Sequence, residues 1–166
     1  VYKRQDKGID DYLKLSKNFN QQNVTFFLAG DLDTGNPNSL TQEELEIIKA
    51  ESSLNYLGYV DLHKELHNYD ILFSLSDHEG FSRVLLEAMY VGLFVVAYNN
   101  NGTKYIDNFE NTILLNSKNQ NNLRNTINNY ITEEKFISEK NRKQIEKSYS
   151  TKKIASQFEN IYNKKE

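Results

Sequence analysis

The sequence predicts an α/β domain: a Rossmann-like, doubly wound parallel sheet with helices on both faces and further helices at its C-terminal end. Three observations carry this. Short apolar runs rich in strand formers alternate along the chain with stretches of helical periodicity. One of these runs, Ile71-Leu72-Phe73-Ser74-Leu75, is apolar on almost every residue, as in a strand covered on both faces. Just beyond it the period changes from strand to helix across a glycine turn, Glu79-Gly80-Phe81-Ser82.

About six strands are expected, in the order 3-2-1-4-5-6 with right-handed crossovers. The first ends around residues 1–3. A helix follows at 10–19, with Ile9, Tyr12, Leu13 and Leu15 as its apolar set, and the second strand is 24–29. Gly30 to Ser39 contains the only proline and two of the seven glycines, which makes it a loop. Ser39 or Thr41 can cap the next helix, which runs to about residue 50 with Leu45 and Ile48 inward.

The third strand is 54–57, a short helix 63–68, and the fourth strand 71–75. After the glycine turn, Val84, Leu85, Ala88 and Val91 recur at helical spacing, and Gly92 stands where that helix would stop. Residues 94–97 and 112–115 are the fifth and sixth strands, and the remainder reads as helix over 119–131, 133–148 and 150–163. No repeat or linker divides the 166 residues, so they form one domain, 1–166, large enough for a single core.

Composition narrows the function classes. With 38% hydrophobic and 26% charged residues the chain is globular. Its net charge of -3, with Lys and Arg scattered or alternating with Glu, argues against nucleic acid as a partner, which calls for a concentrated basic face. No cysteine is present, so disulfides and thiolate metal sites are excluded. No apolar run approaches the length of a membrane span, and the expected location is cytoplasmic, peripheral to the membrane for a full-length protein.

The stretch Glu79-Gly80-Phe81-Ser82-Arg83-Val84-Leu85-Leu86-Glu87 carries the chemistry. It puts Glu79 in the loop at the carboxyl end of a strand and Glu87 near the second turn of the following helix. Open α/β sheets bind ligands at that edge, and the helix N-terminus there, with its unpaired N–H groups and partial positive charge, suits a phosphate. Carboxylates suit hydroxyl groups, because two acceptor oxygens can take a vicinal diol. Phosphate beside hydroxyls describes a nucleotide or a nucleotide sugar. Two glutamates at this spacing are often plain surface charges; the strand before, the glycine between and the strand after favour the functional reading.

The phrase from Ile71 to Ala97 resembles the C-terminal, donor-binding half of GT-B-type retaining glycosyltransferases of the "family 4" group. That group is marked by a Glu-Gly-Phe-Pro-like turn and a second Glu opening Glu-Ala-Met, here Glu87-Ala88-Met89. The likeness extends to the lysine-glycine turn Lys7-Gly8-Ile9, to Phe26-Phe27-Leu28-Ala29-Gly30, and to Leu57-Gly58-Tyr59-Val60. It continues through the glycine loop Asn99-Asn100-Asn101-Gly102-Thr103 and a terminal helix with Phe158, Ile161 and Tyr162.

The resemblance implies a nucleotide-diphosphate sugar as donor, a UDP-hexose or UDP-N-acetylhexosamine, with no cofactor and no metal. Lys7 would take the diphosphate, and Glu79 would contact the donor sugar and support charge at its anomeric carbon. Glu87 would bind the ribose hydroxyls, and the amides of Gly80, Phe81 and Ser82 would approach the sugar, with Gly102 and Thr103 in the adjoining loop. An arginine before the lysine also grips the diphosphate in such enzymes; Arg4 is the candidate, although it stands closer to Lys7 than is usual, and the equivalent could precede Val1.

The resemblance further implies an N-terminal acceptor domain outside these residues and a glycan or lipid-linked acceptor. The Gly30–Ser39 loop resembles enzymes of bacterial surface polysaccharide synthesis. Alone, the fragment should bind donor and turn nothing over. Two departures stand out: Ser82 replaces the usual proline, and Tyr105 stands where a Glu is common. An alternative of another class is a non-catalytic nucleotide-sugar-binding module that regulates or scaffolds a partner enzyme; the presence of Lys7, Glu79 and Glu87 together favours catalysis.

His63 and His67 are four residues apart, but no third ligand accompanies them and Glu65 lies off their shared face, so they read as surface residues. His78 precedes Glu79 and lies within reach of a donor phosphate or sugar. Tyr56, Tyr59 and Tyr69 read as packing residues rather than base platforms.

Overall fold

The computed structural model describes residues 7–19, 24–32, 39–116, 118–132 and 138–162. Among them, five parallel strands form two sheets. β1 (Phe27–Ala29) pairs with β2 (Asn55–Gly58), and β3 (Ile71–Ser74), β4 (Phe94–Tyr98) and β5 (Thr112–Leu115) follow in sequence order. These are the pairings expected on the two sides of a 3-2-1-4-5-6 sheet, with one strand fewer than the six predicted. The missing one, at 1–3, lies outside the described residues.

The helices are α1 (Ile9–Asn18), α2 (Gln42–Lys49), α3 (Leu62–Glu65), α4 (Arg83–Val91), α5 (Gln120–Thr132), α6 (Glu139–Tyr149) and α7 (Thr151–Tyr162). The second strand is shorter than the predicted 24–29: the ladder with β2 begins with Asn55 N–H donating to Phe26 O at 2.9 Å, and its register shifts between Leu28 and Ala29. The helix expected over 63–68 becomes α3 followed by one 3-10 turn, Leu66–Asn68, and a second such turn, Lys104–Asn108, falls where no element was predicted.

β4 explains the layering. All five of its residues are buried, so it is a central strand whose two faces must both be apolar. Phe94, Val96 and Tyr98 point into one core with Leu15 of α1, Phe19 just after it, and Leu123 and Ile127 of α5. Val95 and Ala97 point into the other, with Leu85, Ala88 and Met89 of α4 and Ile106 and Phe109 beyond it. The period-two alternation thus builds helix layers on both sides of the sheet. Gly92 ends α4 in a left-handed conformation, φ 98°, its N–H returning to Ala88 O at 3.1 Å, as its place in the sequence predicted.

A cavity of 550 Å³ runs between the two sheets, lined by apolar residues including Phe27, Leu28, Ile71, Phe73 and Val84. Neither Glu79 nor Glu87 lines it.

Candidate functional site

Three loops meet at the carboxyl edge of the sheet: Lys7-Gly8 before α1, residues 75–82 between β3 and α4, and residues 99–103 after β4. Glycine is required at two of the contacts. Gly8 has φ 70°, and a Cβ there would overlap the backbone of Leu75; a Cβ on Gly102 would overlap the backbone of Glu79. Asn100 ties the loops further, donating from Nδ2 to Ser76 O at 3.0 Å while its Oδ1 accepts from Gly102 N–H at 2.9 Å.

This packing brings two predicted residues together. Lys7 Nζ lies 2.7 Å from Glu79 Oε1, a bond between partners 72 residues apart in sequence. Both side chains are only partly exposed, 32% and 20%, so each is held in place yet reachable from solvent. Glu87, at the fifth position of α4, is half-buried, and among the described residues its carboxylate has no recorded hydrogen bond or ion pair.

The helix ends that start here share one property. α2 and α6 are capped by side chains: Thr41 accepts from Glu44 N–H in a capping box, and Ser138 accepts from Asn141 N–H. α1 begins after Gly8, which has no side chain to cap with, and Ser82 before α4 makes no side-chain cap bond. The two helices that begin beside Lys7 and Glu79 therefore leave their first N–H groups to solvent or ligand, each with the positive end of its dipole at this edge of the sheet.

The glycine turn splits by role. Gly80 is exposed, and a Cβ there would meet nothing within 4 Å, so no protein neighbour demands glycine at this position. Phe81 is 49% exposed, and its ring stacks on Tyr105 at 4.7 Å. Ser82 is buried, and its carbonyl accepts from the Tyr105 hydroxyl at 2.6 Å. Burial pushes the Tyr105 hydroxyl pKa well up, with the charges of Tyr149 and Glu79 acting in the same direction, so it remains a proton donor.

Thr103 is fully buried, its hydroxyl donating to Tyr98 O at 2.6 Å and accepting from Asn100 N–H at 3.0 Å. With Gly102 likewise buried, these two residues shape the loop from inside. Arg4 and the middle of the Gly30–Ser39 loop lie outside the described residues. Asn100, Tyr105 and the Lys118–Asp77 ion pair beside the turn were not singled out as site residues by the sequence. A half-buried loop asparagine joining two loops has no local signature, whereas Tyr105 announced itself by occupying a position where the family commonly has Glu.

A doubly wound α/β domain with a lysine–carboxylate pair and two open helix ends at its carboxyl edge is a ligand-binding domain of the Rossmann-like class. The chain belongs to the family described as "Glycosyl transferases group 1", whose sequence model matches residues 3–151. Its fold is that of the C-terminal, donor-binding domain of GT-B glycosyltransferases.

Among solved structures it is similar to HepE of Anabaena in complex with UDP-glucose, with TM-score 0.79 and 21% identity over 96% of this chain and 46% of that one. Sucrose-phosphate synthase of Thermosynechococcus elongatus gives TM-score 0.81 and 20% identity over 96% and 42%. WaaG, a glycosyltransferase involved in lipopolysaccharide biosynthesis, gives 0.61 and 19% over 78% and 36%. The chain spans less than half the length of each. Compared by sequence with the curated proteins, it finds no match.

Proposed function

We propose that this chain is the donor-binding half of a retaining glycosyltransferase that takes a UDP-sugar and transfers its hexosyl group to a glycan or lipid-linked acceptor in surface polysaccharide synthesis. The observation that carries the reading is the 2.7 Å contact of Lys7 with Glu79, which puts a cation and a carboxylate from separate loops at one crevice between two open helix ends. HepE, solved with UDP-glucose, and WaaG, of lipopolysaccharide biosynthesis, lend the donor and the pathway.

In this reading the diphosphate displaces Lys7 from Glu79 and lies against the amino ends of α1 and α4. There the ammonium and the N–H groups offset the negative charge that grows on the leaving group, with Arg4 as a second cation and no metal ion. The freed Glu79 carboxylate faces the sugar, where it supports positive charge developing at the anomeric carbon. Gly80 lets the backbone approach the ring, and Glu87 accepts from the ribose hydroxyls. The acceptor binds to an N-terminal domain of the same enzyme, and the whole protein works in the cytoplasm at the membrane surface. Among the described residues no helix is long and apolar enough to cross a membrane.

Calorimetry of this chain with UDP, GDP and UDP-glucose tests the reading. UDP and UDP-glucose should bind, and Glu87→Ala should weaken both by about tenfold or more, the value of charge-assisted hydrogen bonds to a hydroxyl pair. Undiminished UDP affinity in the variant removes the ribose assignment; no binding of any nucleotide by the parent chain removes the function.

A further inference from the structure

The turn from Glu79 to Ser82 is exposed at Gly80 and Phe81, and a glycine-containing loop has many backbone states open to it. To present a carboxylate and successive amides at fixed positions, it must be held in one of them. On the Glu79 side it is held by Lys7 and by the close approach of Gly102. On the Ser82 side one residue, Tyr105, makes both contacts: its hydroxyl donates to the Ser82 carbonyl at 2.6 Å, and its ring stacks on Phe81 with 25° between the planes.

Tyr149, the last residue of α6, extends the stack, lying 5.8 Å from Phe81 and 6.0 Å from Tyr105. The turn is thereby fastened to two further elements, the 3-10 turn at 104–108 and the end of α6. Ser82 is also the residue from which α4 starts, so the same hydroxyl fixes where the helix's open N–H groups point.

We propose that Tyr105 is a positioning residue for the sugar side of the site, setting the Glu79–Ser82 turn through its hydroxyl and ring; this rests on the assignment of that turn to the donor sugar. It follows that discrimination between UDP-sugar and bare UDP depends on Tyr105, whereas the nucleoside side, held through Glu87, does not.

Tyr105→Phe keeps the ring and removes only the hydroxyl. Amide hydrogen exchange over residues 79–86 should accelerate by about tenfold, as expected for the loss of one internal hydrogen bond, while α2 is unchanged. In calorimetry the affinity for UDP-glucose should fall about three- to tenfold while that for UDP stays within about twofold. A residue that merely packs would move both affinities and the melting temperature together. Unchanged exchange over 79–86, or an unchanged ratio of the two affinities, overturns the proposal. If the parent chain binds neither UDP nor UDP-glucose, the functional reading fails by itself, and the exchange measurement alone decides whether Tyr105 holds the turn.

Discussion

Gly80 and Gly102 show how identical residues serve different ends. A Cβ on Gly102 would meet the Glu79 backbone, so Gly102→Ala should cost about 2 kcal/mol or more in urea unfolding, through overpacking at a site that cannot yield. Gly80 faces open space, and Gly80→Ala should leave stability within about 0.5 kcal/mol while weakening UDP-glucose. A stability loss in Gly80→Ala equal to that of Gly102→Ala would show that the fold, rather than the ligand, needs both. The sequence marked each glycine as a turn residue but could not separate the roles, because the neighbour that decides is another loop. Thr103 is a similar case: its place beside Gly102 suggested a ligand contact, and only the fold shows its hydroxyl spent on Tyr98.

Among the helices of eight or more residues whose N-caps are described, the starts differ in whether a side chain caps them. Thr41, one of the two caps the sequence offered, closes the start of α2 with a capping box to Glu44, and Thr41→Ala should destabilise the chain by about 1 kcal/mol. Ser82 stands at the same position of α4 and caps nothing, so Ser82→Ala should change stability by less than about 0.5 kcal/mol. Equal losses on thermal or urea denaturation would mean that Ser82 does cap α4 in solution and that the helix has no open N-terminus to offer a ligand. β4 was legible as a strand because five successive apolar residues can only be buried on both faces, whereas β1 and β2 shifted by up to three residues, since pairing rather than composition sets where a short strand begins.

Across the whole molecule, stability is concentrated between the two helix layers, and α7 stands apart from them. Every one of its described side chains is exposed, with Ile154 at 39% and Phe158 at 57%, so little apolar area is withdrawn from water by this helix. Truncation after Ser150 should therefore leave the melting temperature of the chain within about 2 °C, measured by circular dichroism. A much larger fall would place α7 against the core in solution. Tyr149 is kept by such a truncation, and with it the stack under Phe81.

The alternation of strand and helix, the stop at Gly92, the capping box and the acidic glycine turn were determined by the sequence alone, because each rests on residues within one or two turns of chain. The meeting of Lys7 with Glu79, the wedging of Gly8 and Gly102 against neighbouring backbones, and the hold of Tyr105 on Ser82 were decided only by tertiary structure. These contacts join residues 23 to 72 positions apart, and no local pattern records which loops a parallel sheet will bring to the same edge.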